Sequence, residues 1–238
     1  MIRPDRVFIA LIFLPVSHVV LCSFIKQLYD LLDIKIDEMM IVLLGGAIAN
    51  VCELVLAIYI IRKESLLDCL KSDFRNLIKN IFPALGRSLI CFLISIPLLI
   101  FCEIFWKKFL ILLMDNKIIH INLDAQYLVG HFAQVDSGLK LSLMLINTIL
   151  LCPMMEEIIF RFLLYRFLKL RMAYLAGMLI SSVVFATMHC NLALWLPLFA
   201  MGLILVHSYE RFGNLLIPIA IHAIFNMLTT CVLYWQYF

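Results

Sequence analysis

Residues 139–168 read LKLSLMLINTILLCPMMEEIIFRFLLYRFL, an apolar run broken by very few charges. A helix rises about 1.5 Å per residue and needs roughly 20 apolar residues to cross a hydrocarbon core about 30 Å thick, so this run is long enough to span a membrane. In lipid a backbone must satisfy its own hydrogen bonds, which makes a continuous run a helix. Barrel strands would show alternation over about ten residues between turn clusters, and none is visible. Within the run, Pro153-Met154-Met155-Glu156-Glu157-Ile158-Ile159-Phe160-Arg161 sets two adjacent carboxylates and an arginine. Each such charge costs about 2.5–3.5 kcal/mol on insertion scales, so the three are expected to face protein or a water-filled cavity.

The same apolar character recurs at residues 7–25, 39–61, 88–114, 173–190, 192–208 and 214–238. Of the 238 residues 65% are hydrophobic and 15% charged, well above the roughly 45–50% apolar usage of a soluble domain. The expected fold class is all-α, a polytopic transmembrane helix bundle of about seven or eight spans. It forms one membrane domain, with N-terminal helices and an amphipathic cytoplasmic loop over 1–140 and a core of helices over 141–238.

Charge places the loops. The formal net charge of +3 is too small and too scattered for a nucleic-acid surface. Arg3 and Arg6 precede the first apolar run without a small-residue cleavage site after it, so that segment is expected to stay as a helix. Between Arg62 and Arg87 the residues Lys63, Lys71, Arg75 and Lys79 alternate with Leu66, Leu67, Leu70, Phe74, Leu77 and Ile78, the spacing of a helix lying on the membrane surface. Positive excess assigns this stretch, the N-terminus and the cluster Arg166, Lys169, Arg171 to the cytoplasm, and leaves residues 115–139 as an external loop. The eight cysteines form no C-x-x-C pair and mostly lie inside apolar runs, where they read as small buried side chains.

Helical phase separates the two glutamates. Glu157 and Arg161 are four apart and share a face, where they can pair, whereas Glu156 is turned about 100° away and is free to act as a general base. The next apolar helix ends on Phe185-Ala186-Thr187-Met188-His189, and the last carries His222-Ala223-Ile224-Phe225-Asn226. His222 and Asn226 are again four apart, so two donors aim at one side and could meet an oxyanion. Taken alone, an intramembrane histidine is more often a hydrogen bond between helices than a catalyst, and Glu157 with Arg161 reads as structural. Asn50, Glu53 and Glu103 read as packing or pore residues. In a simple topology His189 lies about 27 Å of helix beyond Arg171, so tilt or a shifted helix start is needed to bring it level with Glu156.

The order Glu-Glu-x-x-x-Arg, then Phe-x-x-x-His, then Gly213-Asn214 leading through Pro218 to His-x-x-x-Asn resembles the CPBP family of intramembrane proteases, which includes the CAAX-prenyl endopeptidases and the bacterial Abi proteins. The resemblance covers roughly residues 150 to 230. It implies an intramembrane endopeptidase in which Glu156 and His189 activate a water, Glu157, Arg161 and Phe185 support the site, and His222 with Asn226 stabilise the oxyanion. The implied partners are a peptide or protein substrate at the membrane and the lipid bilayer, with no nucleic acid, and the implied place is a bacterial cell (inner) membrane. Phe162 stands where many bacterial members have a glycine.

Rival protease signatures, H-E-x-x-H and G-x-S-x-G, are missing. No cofactor is expected, since asparagine is a poor zinc ligand and a good oxyanion donor. The alternative is zinc held by Glu156, His189 and His222. The competing functions are a non-catalytic immunity or scaffold protein on the same fold, and a proton-coupled transporter, for which matching broken helices would be expected and are not seen.

Overall fold

The computed structural model describes residues 20, 23–25, 27–28, 38–60, 72, 75, 81–117 and 136–237. Within them every regular element is helical: α1 Glu38–Ile60, α2 Ile81–Asp115, α3 Gly138–Lys169, α4 Tyr174–Met188, α5 Trp195–Phe212 and α6 Leu216–Tyr237, with a single 3₁₀ turn, Leu192–Leu194, before α5. Three helical stretches are long and apolar enough to cross a membrane, Gly86–Asp115, Gly138–Lys169 and Leu192–Phe212. Met39–Val55, Tyr174–Met188 and Leu216–Val232 are shorter apolar helices. The chain is an integral membrane protein by these helices, with three long spans among the described residues where seven or eight had been expected. Most of the first apolar run and most of the expected surface helix lie outside the described residues. The described part of the latter corrects its end: α2 already begins at Ile81. Arg87 can therefore sit inside the helix, with its guanidinium 5.9 Å over the Phe212 ring.

Local chemistry explains where α3 starts and why it is not uniform. The Ser137 side chain accepts from the Lys140 N–H at the helix start. The buried Lys140 ammonium lies 2.8 Å from Asp136, and this hydrogen bond, first among the causes, holds the Asp136 carboxyl below its usual range. Further on, Pro153 lacks an N–H and crowds the preceding turn. The backbone before it widens into a π-helical segment, Ile146–Leu151, returns to α-helix over Cys152–Glu157, and widens again over Ile158–Tyr165. Wide turns of this kind frequently accompany functional sites.

Three packed clusters hold the described helices together, the smallest joining Met39 and Leu43 of α1 to Met144 of α3. Of the two larger, the first gathers Met155, Ile158, Phe162 and Leu163 of α3 with Phe185 and Leu215. The other joins Phe92 and Leu99 of α2 to Met201 and Leu205 of α5 and to Ile217 and Ile221 of α6. Where α4 and α5 cross, a Cβ on Gly202 would stand 2.9 Å from Ser182 Cβ and 3.0 Å from its Cα, so only glycine permits this approach. Leu93, Ile94, Phe101, Leu175, Leu179 and Val232 are exposed around the outside, as expected of a surface whose solvent is lipid.

The depth problem is solved by the start of α4. Glu156 precedes Lys169, the end of α3, by thirteen residues, and His189 follows Tyr174, the start of α4, by fifteen. At 1.5 Å per residue both lie about 20 Å from the turn that joins the helices, so antiparallel packing brings them level without special tilt.

Candidate active site

The deepest layer is ionic. Glu157 and Arg161 are both fully buried, and Arg161 Nε lies 2.9 Å from Glu157 Oε2. The contact is a charge pair without an aligned hydrogen bond, and no guanidinium nitrogen finds one among the described residues. The guanidinium is held instead by ring faces, with Cζ 4.5 Å from the Phe185 centroid and 5.9 Å from that of Phe160. Phe185 also packs edge-to-face on Phe160 at 5.2 Å and on His189 at 4.6 Å, so one ring braces the arginine and one of the histidines.

Above this layer the histidines are oriented by their Nδ1 atoms. His222 Nδ1 is 3.0 Å from Glu157 Oε1, and His189 Nδ1 is 2.8 Å from the Phe185 carbonyl oxygen. A carbonyl and an arginine-paired carboxylate only accept, so each Nδ1 carries the proton and donates. In the neutral form each Nε2 then presents a lone pair. Both turn toward the same atom: Glu156 Oε2 lies 3.7 Å from His189 Nε2 and 3.8 Å from His222 Nε2. These gaps exceed a hydrogen bond and suit a small bridging molecule. Glu156 Oε2 is buried without a hydrogen-bond partner among the described residues, although the side chain as a whole is 26% exposed. An unpaired acceptor between two imidazoles, reachable from outside, is where a polar ligand gains most.

Asn226 takes a different partner from the one its spacing suggested. Its Nδ2 donates to the Thr148 carbonyl at 2.9 Å. Thr148 lies in the first π-helical segment, next to Asn147, whose Nδ2 donates to the Leu43 carbonyl of α1 at 2.9 Å. Asn147 Oδ1 in turn accepts from Asn50 Nδ2 at 3.2 Å. By sequence Asn50 reads as a packing or pore residue, and Asn147 carries no distinguishing pattern. Both were visible as amides in apolar runs, but their pairing was not. Glu103 sits apart, half-exposed, in a pair with Lys107 at 2.7 Å. Phe162 is fully buried in the first cluster, with the Arg166 guanidinium 4.6 Å over its ring.

Glu156, His189 and His222 thus converge around one point, over a support of Glu157, Arg161 and Phe185, with Asn226 one turn from His222. Residues 138–228 match the Rce1-like family, described as type II CAAX prenyl endopeptidase Rce1-like. The CPBP resemblance holds there. Neither the curated proteins nor the solved structures yield a match. The Rce1-like segment contains every residue of the convergent site and leaves α1 and α2 outside it. It is a protease family, which supports a hydrolase. Among the described residues, no group of three or more histidine, cysteine, aspartate or glutamate side chains is arranged to hold a metal ion.

Proposed function

We propose that this chain is an intramembrane endopeptidase that hydrolyses a peptide bond of a membrane-associated substrate with a water activated by Glu156 and His189. The observation that carries the reading is the unpaired Glu156 Oε2, 3.7 and 3.8 Å from two Nε2 atoms. A water in that gap gives a proton to the carboxylate while its oxygen attacks the scissile carbonyl. The new C–O bond makes a tetrahedral oxyanion. His222, whose Nδ1–H is bound to Glu157, serves the oxyanion as an imidazolium that has drawn its Nε2 proton from solvent before the water attacks, and the row Arg161, Glu157, His222 then alternates in charge. In that state Nε2–H and the remaining N–H of the Asn226 amide are the donors for the oxyanion. Collapse breaks the C–N bond, and the proton held by Glu156 passes to the leaving amine.

The mechanism proposed uses no metal, because Asn226 is a good amide donor and a poor zinc ligand. The basic end of the bundle, where Lys169 meets Glu210 at 2.6 Å, is proposed to face the cytoplasm of a bacterial cell. Whether the substrate carries a prenyl group is decided by trial of both forms.

The test is to incubate the purified protein with a tagged peptide library, prenylated and plain, beside Glu156→Ala, with and without a strong chelator. Cleavage by the wild type alone, unaffected by chelation, is expected. Stoichiometric zinc with chelator-reversible loss of activity would move the mechanism to a metal, and no cleavage by either protein would favour an immunity or scaffold role.

A further inference from the structure

The residues that the Rce1-like match leaves outside include α1, yet α1 touches the segment that fixes Asn226. Asn147 and Thr148 are neighbours in the widened segment Ile146–Leu151. The Asn147 side chain is tied to α1 on both its ends, donating to the Leu43 carbonyl at 2.9 Å and accepting from Asn50 at 3.2 Å. The Thr148 main chain is tied to α6, its carbonyl accepting from Asn226 at 2.9 Å. Asn50 is buried, and Gly46, one turn before it, faces the same amide: a Cβ there would stand in ordinary contact with Asn147 Nδ2, at 3.4 Å. One amide bond in the backbone therefore links two crosslinks, one to α1 and one to α6.

Energetics favour a working clamp over incidental contact. Amides in apolar surroundings lose heavily if left unpaired, so each bond in this chain holds its partner to a narrow orientation. A π-helical segment is a strained register that persists only where neighbours secure it. Releasing Asn50 leaves Asn147 held to α1 by the Leu43 carbonyl alone, loosens the hold on residues 146–151, and shifts the Thr148 carbonyl. The Asn226 amide follows that carbonyl.

We propose that Asn50 and Asn147 form a positioning clamp by which α1 sets the orientation of the Asn226 amide in the site. The proposal rests on the protease reading for its kinetic consequence only. Asn50 and Asn147 touch neither substrate nor reacting atoms, and they act through Asn226.

The experiment compares Asn50→Ala, Asn226→Ala and the double variant in the full chain, by steady-state cleavage of a peptide the wild type accepts. Asn50→Ala is expected to lower kcat on the order of 10- to 100-fold with KM held within about twofold, since small misplacements of a reacting geometry are costly. Asn226→Ala is expected to lower kcat by about 10²–10³, and the double variant to match Asn226→Ala alone. A merely structural role would multiply the two losses undiminished, and that result, or wild-type kcat in Asn50→Ala, would overturn the clamp. If Asn50→Ala does not fold, Asn50→Asp keeps the volume and turns the donor into an acceptor, with the same outcomes. A readout independent of activity separates the clamp from the protease reading. The side-chain amide resonance of Asn226 in nitrogen-15 spectra, identified by its loss in Asn226→Ala, should move in Asn50→Ala. If no peptide is cleaved and the resonance moves, the clamp stands and the protease reading fails. If it stays, the clamp fails.

Discussion

Glu156 and Glu157 are the same residue at adjacent positions of one helix, and their surroundings are opposite. Glu157 is fully buried, 2.9 Å from Arg161 and 3.0 Å from His222. Glu156 is 26% exposed, and its Oε2 faces two imidazoles at distances too long for a direct bond. One residue step turns a helix by about 100°, enough to carry a side chain from the packed interior to a partly exposed position. The difference teaches that phase, not residue type, separates the carboxylate buried in an ion pair from the one left partly exposed and without a hydrogen-bond partner. A buried charge held between an arginine and a histidine has no freedom to exchange protons with a substrate, whereas a partly exposed one without a hydrogen-bond partner does.

The comparison breaks most decisively at Glu157. Glu157→Ala strands Arg161 among aromatic rings, and about 3–5 kcal/mol of stability should be lost, read as reduced folded yield and a lower unfolding midpoint in detergent. Unchanged stability would erase the distinction between the two glutamates. Glu156→Gln should do the reverse, keeping the unfolding midpoint while lowering peptide cleavage by about 10²–10⁴. Full activity in that variant would remove Glu156 as the base.

Smaller effects sharpen the contrast between the interior and the periphery. Gly202→Ala should cost about 1–3 kcal/mol, because its Cβ would overlap the Ser182 backbone at the crossing of α4 and α5. A neutral result in thermal unfolding would mean the two helices can part. Lys169→Ala should change stability by only about 0.2–1 kcal/mol, since its pair with Glu210 is partly open to solvent and screened. A loss as large as that of Glu157→Ala would show that the peripheral pair carries weight the buried one was thought to hold.

Helix positions were legible to within a few residues where an apolar run ends at a stop written in the sequence. Residues 139–168 were expected and Gly138–Lys169 is found, and residues 173–190 became Tyr174–Met188. The apolar run 192–208 is shorter than its helix, because hydropathy fades at Ser208, Tyr209, Glu210 and Arg211. The helix continues to Phe212, where Gly213 adopts a left-handed φ of 59° and closes it. Hydropathy follows side chains, whereas a helix ends where its backbone bonds do. Glu210 and His207 are tolerated there because Lys169 and Tyr174 stand opposite them, at 2.6 and 3.4 Å.

What the sequence determined alone is local. Apolar runs of spanning length required helices, and the spacing of Glu157 and Arg161 placed both on one face, because both inferences need only the geometry of a single helix. The tertiary structure decided what crosses between helices. It gave His222 to Glu157 and Asn226 to the Thr148 carbonyl, where spacing along α6 had suggested two free donors side by side. It also widened α3 around Pro153 and linked Asn147 to Asn50. Such contacts depend on how far each helix is rotated and slid against its neighbours. Those two quantities are set by the packing of all the helices at once, and no single stretch of sequence contains them.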